Sequence, residues 1–362
     1  MTDRPILILA GGTGGHVYPA LAVATALQAE SRDVVWLGTR RGLESRVVPA
    51  ADIPIEWVAI SGVRGKGIVT LMLAPFRLLY AFWQSLIVML KHRPAAVLGM
   101  GGFVSGPGGL AAWLTLRPLV IHEQNAVAGM TNRLLAHLAR VVLQAFPGSF
   151  NSRKSIETVG NPVRPDIMSI DDPDSRLRGR TGPVRLLVLG GSQGALSLNE
   201  TVPAALAMLP DDIRPVVRHQ TGERTAAEAR AAYGKNGIDA RLEPFIEDMA
   251  SAYVWADLVI CRAGALTVAE LSAAGVPAIF VPFPAAVDDH QTANAGPMVE
   301  AGAAKILQQC DMSGDSLACL LRKWVSDRDG LLNRARKARS LAMPDSLSRI
   351  KRHCLDAAGG AP

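Results

Sequence analysis

Twice in this chain a short apolar segment runs directly into a cluster of glycines. In the N-terminal half, Ile6–Ala10 is followed by Gly11–Gly15 and then by Pro19–Glu30, a segment rich in alanine and leucine that we expect to be a helix. In the C-terminal half, Val184–Leu189 is followed by Gly190–Gly194 and a second such segment. A short buried strand, a tight turn and a helix form the repeating unit of parallel sheets. The repetition therefore predicts an α/β protein with two Rossmann-like, doubly wound domains.

Further apolar segments that end in turns extend this pattern through both halves: Val34–Leu37, Ala95–Leu98, Leu119–Ile121, Leu258–Cys261 and Ala278–Val281. In open α/β sheets ligands bind beyond the carboxyl ends of the strands, so we expect the functional residues at these turns. Residues 151–183, rich in proline, aspartate and arginine, show no lasting periodicity. We therefore expect a domain boundary near Asn161–Arg164, with domains at residues 1–163 and 164–341.

The size and charge of the chain limit its possible functions. A chain of 362 residues is longer than a typical single domain, and its 49% content of hydrophobic residues is enough to fill the cores of two domains. The net charge of +6 favours anionic partners such as phosphates or an anionic membrane surface. Nucleic acid is not expected, because the chain has no zinc-finger spacing and no dense basic helix with interleaved aromatic residues.

Metal and disulfide sites are not expected either. No CxxC pair occurs among the four cysteines, which are Cys261, Cys310, Cys319 and Cys354. Asp172-Pro173-Asp174 has the spacing of a metal-binding motif but lies in the linker, where we expect a solvated turn. The apolar run Ile6–Ala10 is too short for a signal peptide, so none is expected.

The first glycine turn, Gly11–Gly15, is followed by His16. Small residues let the backbone approach a ligand closely, and N–H groups at the start of a helix can bind an anion. A dinucleotide-binding domain would have a third glycine at Val17 and an acid after the second strand, where Gly38 stands. The turn therefore argues against a dinucleotide cofactor. A second cluster, Gly99–Gly109, suits a backbone cradle for diphosphate, although a flexible loop would have the same composition.

The most apolar stretch, residues 68–90, approaches the length of a transmembrane span of about 20 residues. Arg77 lies near its middle, where a charge is costly in a bilayer, and basic residues flank both ends. We therefore expect a peripheral anchor on an anionic membrane, although a buried helix would share much of this pattern. The expected membrane contacts are Leu71, Leu73, Phe76, Leu79, Phe82 and Trp83.

Seven motifs occur in the order found in one known family: Gly11–His16, Gly99–Gly109, His122–Asn125, Gly160–Arg164, Gly190–Gly194, Cys261–Thr267 and Asp288–Asn294. Together they resemble the MurG family, the UDP-N-acetylglucosamine:lipid-linked N-acetylmuramyl-pentapeptide transferases of glycosyltransferase family 28. The resemblance implies a GT-B fold, in which two Rossmann-like domains face each other across a cleft. It also implies that the N-terminal domain binds the acceptor and the membrane and that the C-terminal domain binds the UDP-sugar. A last helix, at about residues 342–362, is expected to pack back on the first domain.

The donor site is expected after the strand Leu258–Cys261. There the N–H groups of Ala265, Leu266 and Thr267 open a helix and can bind phosphate without a cation. Glu270, further along that helix, can accept hydrogen bonds from both ribose hydroxyls, although the helix dipole alone also favours an acid there. The resemblance implies that the backbone of Ile246 contacts uracil. The other implied donor contacts are Thr13, Gly14, Gly15, Asn125, Arg164, Ser192, Gln291 and Asn294.

The reaction implied by the resemblance inverts the anomeric centre, because the acceptor C4 hydroxyl attacks C1 of the sugar and UDP leaves. His16 is the expected base by residue type and position, since neutral imidazole is available near pH 7. It could instead orient the acceptor, and His122 and Glu123 are the alternative bases. The expected acceptor contacts are Gly12, Gly101, Gly102, Ser105, Gly106, His122 and Glu123.

The implied substrates are UDP-N-acetylglucosamine (UDP-GlcNAc) and undecaprenyl-pyrophosphoryl-MurNAc-pentapeptide, with no cofactor. The implied location is the cytoplasmic face of the bacterial inner membrane, with contacts to other proteins of cell-wall synthesis and division. Three alternative functions stay open. They are a related transferase with another lipid acceptor such as diacylglycerol, a UDP-GlcNAc 2-epimerase, and a non-enzymatic nucleotide-sugar sensor.

Overall fold

A computed structural model describes residues 4–60, 72–150, 156–191, 193–286 and 289–359. The chain divides into two compact units, each described by itself below. Unit 1 comprises Met1–Val163 and Asp345–Pro362, and unit 2 comprises Arg164–Pro344.

The described part of unit 1 contains one parallel sheet. Its strands are β1 (Ile6–Leu9), β2 (Val34–Gly38), β3 (Ile55–Trp57), β4 (Ala96–Gly99), β5 (Leu119–Glu123), β6 (Val141–Gln144) and β7 (Glu157–Thr158). Their spatial order is β3-β2-β1-β4-β5-β6-β7. Strand β1 pairs with β2 on one side and with β4 on the other, so that Ile8 is in register with both Trp36 and Leu98. Strands β1 and β4 consist of buried apolar residues and glycine, as expected for a parallel sheet covered on both faces.

Helices cover each face of this sheet. They are α1 (Gly14–Gln28), α2 (Glu44–Val47), α3 (Ala74–His92), α4 (Ser105–Leu114), α5 (Met130–Leu135) and the C-terminal helix (Ser346–Gly359), with a short 3₁₀ turn at Pro49–Ala51. On one face, Val17 and Leu27 of α1 and Ile350 of the C-terminal helix pack against Ile8. On the other face, residues of α3 and α4 pack against the alternate side chains of the same strands.

Helix α1 corrects one expectation from the sequence. The pattern places the helix start at Pro19, because proline favours the first turn of a helix. The structure instead begins the helix at Gly14 and includes Pro19 within it. The glycine turn is therefore shorter than expected, and His16 lies in the first turn of the helix.

The described part of unit 2 contains a second parallel sheet. Its strands are β8 (Arg185–Leu189), β9 (Val216–Gln220), β10 (Arg241–Glu243), β11 (Leu258–Cys261), β12 (Ala278–Phe280) and β13 (Ala304–Ile306). Their spatial order is β10-β9-β8-β11-β12-β13. In both sheets the first strand of the unit lies between its second and its fourth, which is the doubly wound arrangement. The predicted α/β fold is confirmed in each unit.

The helices of unit 2 follow its strands. They are α6 (Pro165–Met168), α7 (Pro173–Leu177), α8 (Leu196–Ala207), α9 (Ala226–Lys235), α10 (Met249–Trp255), α11 (Ala265–Ala274), α12 (His290–Glu300), α13 (Gly314–Val325) and α14 (Arg328–Arg339), with 3₁₀ turns at Glu223–Thr225 and Gln309–Asp311. The stretch expected to lack regular structure thus contains β7, α6 and α7. Short elements of this kind leave no periodicity in a sequence. Arg176 of α7 donates to the carbonyl oxygen of Gly275 at 3.1 Å, and this bond ties α7 to the rest of unit 2.

The C-terminal helix is tied to β7 by an ionic cluster. Glu157 accepts from Arg349 Nη2 at 2.6 Å, and its other oxygen lies 2.9 Å from His353 Nε2. The hydrogen bond from Arg349, together with the charge of His353, lowers the pKa of Glu157 below its ordinary value of 4.5. The ionised carboxylate therefore stabilises the docking of this helix on unit 1.

Replacing Glu157 with glutamine should lower the stability of unit 1 in a pH-dependent way. A carboxyl whose folded-state pKa is depressed contributes stability above its unfolded pKa, and loses it as the pH falls through the folded value. At pH 7 we expect Glu157→Gln to lower the free energy of unfolding by at most about 1 kcal/mol, because the cluster is partly exposed. Urea unfolding followed from pH 7 to pH 3 should show the difference disappearing. Glu228→Gln, an exposed control in unit 2, should stay near wild type throughout, and a pH-independent effect of Glu157→Gln would contradict the ionic explanation.

Candidate active site

Two glycine turns meet at the point in the unit 1 sheet where the strand order reverses. Strands β1 and β4 are neighbours there, and Met100 N–H donates to the carbonyl oxygen of Leu9 at 2.9 Å. Gly102 has φ +82°, and a Cβ on it would lie 2.2 Å from the carbonyl oxygen of Gly11. Only glycine satisfies both conditions. The predicted first and second turns are therefore in direct backbone contact, where a ligand of a doubly wound sheet is expected.

His16 lies at this contact. Its side chain is half-buried, and Nδ1 is 3.3 Å from the hydroxyl of Thr13. Gly101 has φ +96°, and a Cβ on it would come within 2.7 Å of His16 Cδ2, so the imidazole lies against the bare backbone of the second turn. The structure thus brings together His16, Thr13 and Gly101. Gly14, Gly15 and Gly106 lie on the adjoining first turns of α1 and α4, and none of these three is buried.

Ser105, an expected acceptor contact, is buried behind the second turn. Its hydroxyl accepts from Gly101 N–H at 3.1 Å, and lies 3.0 Å from the carbonyl oxygen of Leu9 and 2.8 Å from that of Gly101. The hydroxyl therefore joins the second turn to β1. Ser105 is completely buried, so its hydroxyl is not exposed to an acceptor substrate in this structure.

The N–H of Gly12 points into the protein. It donates to Oε2 of Glu44 at 3.0 Å. The expectation that the N–H groups of the first glycine turn face an anionic ligand is therefore wrong for Gly12, whose N–H binds a carboxylate of the protein itself. Glu44 was not predicted as a site residue, because an acid in a short polar segment gives no sequence signal for burial beneath a turn.

His122, a predicted acceptor contact and alternative base, is fully buried at the end of β5. Its Nε2 donates to the carbonyl oxygen of Gly160 at 2.9 Å, and its Nδ1 accepts from the side-chain amide of Gln124 at 3.1 Å. Burial lowers the pKa of His122 to about 4, so the ring is neutral at pH 7. Both ring nitrogens thus hold the chain around β5, and neither faces solvent.

Glu123, the other alternative base, is also buried and organises the loop after β5. One oxygen accepts from the backbone and side-chain amides of Asn125, at 2.9 and 3.2 Å. The other accepts from Gly129 N–H at 3.1 Å and from Asn132 Nδ2 at 2.9 Å. Asn132, which sequence reasoning missed, thus shares this carboxylate with Asn125. Asn125 is half-buried, and Ser149 donates to its carbonyl oxygen at 2.8 Å.

Glu270 lies at the corresponding edge of the unit 2 sheet, on α11, which follows β11. The carboxylate is half-buried, and its Oε2 accepts from the hydroxyl of Tyr253 at 2.9 Å. Burial raises the pKa of Glu270 above its ordinary value, and the hydrogen bond from Tyr253 opposes that shift. Tyr253 is completely buried, so its hydroxyl fixes the carboxylate from the protein side. Sequence reasoning predicted Glu270 but not Tyr253.

Helix α11 begins at Ala265, directly after Gly264, which has an extended backbone conformation and no side chain to cap the helix. The first helical turn of α11 therefore consists of Ala265, Leu266 and Thr267. The N–H groups of this helical turn point out of the helix N-terminus. Buried Asn294 of α12 donates to the carbonyl oxygen of Ala263 at 3.2 Å, next to this turn. Its amide thus supports the turn that precedes the helix.

A second set of contacts fixes the loop after β12. Gln291 accepts from Phe283 N–H at 2.9 Å. Arg262, which sequence reasoning did not select, donates to the carbonyl oxygens of Val281 and Pro282 at 2.9 and 3.0 Å. These contacts place Gln291 beside the carboxyl end of β12, close in sequence to Asn294 on the same helix.

The remaining predicted donor residues differ in their surroundings. Ile246 is buried in the loop after β10, and its N–H donates to Oε1 of Gln220 at 3.2 Å. Arg164 precedes α6, with its side chain 46% exposed and its Nε 3.9 Å from Asp166. Ser192, like the predicted membrane residue Leu71, lies outside the described residues. Among the described residues, no group of three or more His, Cys, Asp or Glu side chains is placed to hold a metal ion.

Helix α3 exposes an apolar face. Its inner face packs Val88 and Met89 into the core, whereas Phe76 is 71% and Trp83 60% exposed. Phe82, which the sequence predicts to contact the membrane, is half-buried rather than exposed, because its side chain packs against the same core. Helix α4 packs beside α3, and α5 beside α4. The exposed large apolar side chains of these helices and their ends, called here the apolar patch, are Met72, Leu73, Phe76, Leu78, Leu79, Tyr80, Trp83, Ile87, Leu90, Leu110, Trp113, Leu114, Leu116, Met130 and Leu134.

Basic side chains accompany the apolar patch. Those exposed on or next to the same helices include Arg77, Arg93, Arg133 and Arg140. Across the described part of the chain, no helix combines the length and the apolar character needed to cross a bilayer.

Comparison with known proteins identifies relatives along nearly the whole chain. Models of the glycosyltransferase family 28 N-terminal and C-terminal domains match residues 6–144 and 185–350. A protein of Alkalilimnicola ehrlichii named UDP-N-acetylglucosamine--N-acetylmuramyl-(pentapeptide) pyrophosphoryl-undecaprenol N-acetylglucosamine transferase is 60% identical, over 98% of this chain and 99% of that protein. A Marinobacter nauticus protein of the same name is 54% identical, over 99% and 100%. The crystal structure of Acinetobacter baumannii MurG superposes with a TM-score of 0.86 at 42% identity, over 98% of this chain and 99% of that one.

Two doubly wound units that match both domain models have the GT-B fold of a glycosyltransferase. The chain belongs to the MurG family within glycosyltransferase family 28.

Proposed function

We propose that this protein transfers N-acetylglucosamine from UDP-GlcNAc to the C4 hydroxyl of lipid-linked MurNAc-pentapeptide, converting lipid I into lipid II in peptidoglycan synthesis. A relative that is 60% identical over 99% of its own length carries the name of this activity. The observation that carries the proposal is the placement of His16 on the paired glycine turns of unit 1, where the fold locates a ligand.

His16 is proposed as the base that takes the proton of the acceptor hydroxyl as it attacks C1 of the sugar. The alternative bases are less suited, because His122 and Glu123 are buried and their polar atoms hold β5 and its loop. The half-buried imidazole of His16 is oriented instead by Thr13 and by the backbone of Gly101. General-base catalysis of this kind contributes on the order of 10²–10⁴-fold to a rate.

Unit 2 is proposed to bind the donor. The carboxylate of Glu270, held at Oε2 by Tyr253, is proposed to accept from the ribose hydroxyls. The first turn of α11 faces the diphosphate, and Arg164 adds a charge-assisted contact to it. In the transition state the same groups stabilise the negative charge that develops on the departing UDP. Gln291 is proposed to contact the sugar, and buried Asn294 is proposed to support the turn before α11.

The apolar patch of unit 1 is proposed to attach the enzyme peripherally to the cytoplasmic face of the inner membrane. Exposed apolar surface of this extent is unusual for a soluble monomer and marks an interaction site. The neighbouring arginines provide attraction to anionic lipid headgroups, worth about 1 kcal/mol each near the surface. This attachment would place the acceptor-binding unit at the bilayer that carries the lipid-linked acceptor.

The transfer itself is tested with radiolabelled UDP-GlcNAc and a soluble lipid I analogue. Wild type should form the disaccharide product, and His16→Ala should lower kcat by ~10²-fold or more while UDP affinity stays the same. His137→Ala, which removes an exposed histidine of the same unit, should transfer normally. Full activity in His16→Ala would remove the base role but keep the function. Tight donor binding without any transfer by wild type would contradict the function and favour another acceptor or a sensor.

Removal of the Tyr253 hydroxyl should weaken donor binding in a pH-dependent way. Affinity that requires ionised Glu270 falls as the pH drops through the raised pKa of that group, and Tyr253→Phe should raise this pKa further. The loss should therefore begin at a higher pH in the variant, and at pH 7 the Kd for UDP should rise by about 3–10-fold. Calorimetric titrations from pH 5 to 8 measure both effects.

Tyr233→Phe is the matched control for that experiment, because it removes another buried hydroxyl, 2.9 Å from His219 Nδ1 in the same unit. It should lower stability without changing the Kd for UDP. Equal effects of both tyrosine variants on UDP binding would mean that the hydroxyl of Tyr253 acts on stability alone.

Membrane attachment is tested by replacing Leu79 and Trp83 together with glutamine. Because each exposed apolar side chain that enters the bilayer interface contributes on the order of 1.5–3 kcal/mol, the double variant should bind anionic phosphatidylglycerol vesicles at least ~10-fold more weakly. Vesicle sedimentation gives the partition coefficient. Val216→Gln, at an exposed apolar position of unit 2, should bind like wild type. Unchanged sedimentation of the double variant would contradict the membrane role of this patch.

A further inference from the structure

Glu44 is a completely buried acid that no step of the proposed reaction uses. It is the first residue of the short helix α2 and lies beneath the first glycine turn. Its Oε2 accepts from Gly12 N–H at 3.0 Å. Its Oε1 accepts from the backbone N–H and the hydroxyl of Thr39, at 2.9 and 2.7 Å.

This hydrogen-bonding pattern requires a carboxylate. Burying such a group is costly unless hydrogen bonds replace its hydration, and here both oxygens act as acceptors. A glutamine in the same place would present an amide N–H₂ group to one of the donors. The carboxylate therefore holds two segments that are far apart in sequence, namely the first turn at Gly12 and the chain after β2 at Thr39.

Three glycines leave room for the Glu44 side chain. A Cβ on Gly11 would lie 2.7 Å from Oε1, and one on Gly38 would lie 2.8 Å from Cγ. A Cβ on Gly42 would lie 2.0 Å from Oε2. Gly38 stands where a dinucleotide-binding domain has its ribose-binding acid. In this chain the carboxylate comes instead from Glu44, and it binds the backbone of the turn rather than a ligand.

The peptide between Gly11 and Gly12 is held from two sides. The N–H of Gly12 is fixed by Glu44, whereas the carbonyl oxygen of Gly11 faces the backbone of Gly102. The next residue, Thr13, occupies the N-cap position of α1, and its carbonyl oxygen accepts from His16 N–H at 3.1 Å. The orientation of the Gly11–Gly12 peptide therefore determines where α1 begins and where His16, in the first helical turn of α1, is placed.

We propose that Glu44 is a positioning residue for the transfer reaction, which fixes the Gly11–Gly12 peptide and thereby places His16 against the acceptor hydroxyl. The inference rests on the proposed role of His16 as the base. The nucleotide contacts proposed for UDP-GlcNAc, among them Glu270, lie in unit 2, so the effect of Glu44 is expected mainly on kcat. Only a small effect on the KM for UDP-GlcNAc is expected, through the implied donor contacts Thr13–Gly15 of the same turn.

The test compares Glu44→Gln with Thr39→Val in the soluble-acceptor assay. Glutamine can keep an oxygen towards Thr39 but turns an N–H₂ group towards Gly12 N–H, so that two donors face each other. Valine removes only the hydroxyl bond to Oε1 and leaves Gly12 in place. We expect Glu44→Gln to lower kcat at least ~10-fold with the KM for UDP-GlcNAc within about 2-fold of wild type, and Thr39→Val to keep both within about 2-fold.

A double-mutant cycle with His16→Ala separates positioning from general destabilisation. If Glu44 acts through His16, Glu44→Gln should lower kcat little further in the His16→Ala background. An equal loss in both backgrounds, or a kcat of Glu44→Gln similar to that of Thr39→Val, would overturn the inference. If the glutamine variant does not fold, Glu44→Asp, which keeps the charge but is shorter, should show the same fall in kcat at constant donor KM, and wild-type kinetics in it would overturn the inference. Absence of transfer by wild type would instead identify a failure of the proposed function.

Discussion

The N-terminal unit depends on the close approach of two backbone turns at the carboxyl ends of β1 and β4. The strand order makes these ends neighbours, and the absence of side chains lets the turns touch. A single Cβ at Gly102 would meet the carbonyl oxygen of Gly11 at 2.2 Å, and one at Gly101 would meet the ring of His16. The position of the histidine therefore depends on the missing side chain of Gly101, because the imidazole lies against the bare backbone there, with the hydroxyl of Thr13 3.3 Å from its Nδ1.

Sequence reasoning predicts the locally encoded parts of this structure well. An apolar segment followed by glycines indicates a strand and a turn wherever it occurs, and both doubly wound sheets follow from that pattern. The start of α1 is an exception, because the preference of proline for a first turn competes with a helix that already begins at Gly14. Contacts across the sequence leave no such local signal. Glu44 is 32 residues from Gly12, and Ser105 is 96 residues from Leu9.

Motif matching also cannot separate residues that meet a ligand from residues that hold the turns in place. His122, Glu123 and Ser105 belong to motifs of the family, yet all three are buried and hydrogen-bonded to backbone. Both kinds of residue lie at the ends of strands, because a turn that approaches a ligand closely must itself be supported. Burial separates the two kinds in the loop after β5 and in unit 2, where Asn125 and Glu270 are half-buried and the residues that hold them, Glu123 and Tyr253, are buried.

The two units solve the same physical problem with opposite chemistry. In unit 2 a buried neutral hydroxyl, that of Tyr253, holds the half-buried carboxylate of Glu270. In unit 1 a buried carboxylate, that of Glu44, holds the neutral backbone in front of His16. In each case the group that we propose to face a substrate is held within the protein, so less conformational entropy would be lost when the substrate binds. The energetic cost of burying the carboxylate differs between the two units. Partial burial raises the pKa of Glu270, and the hydrogen bond from Tyr253 opposes that shift. Glu44 is completely buried, but both of its oxygens accept hydrogen bonds from donors inside the protein.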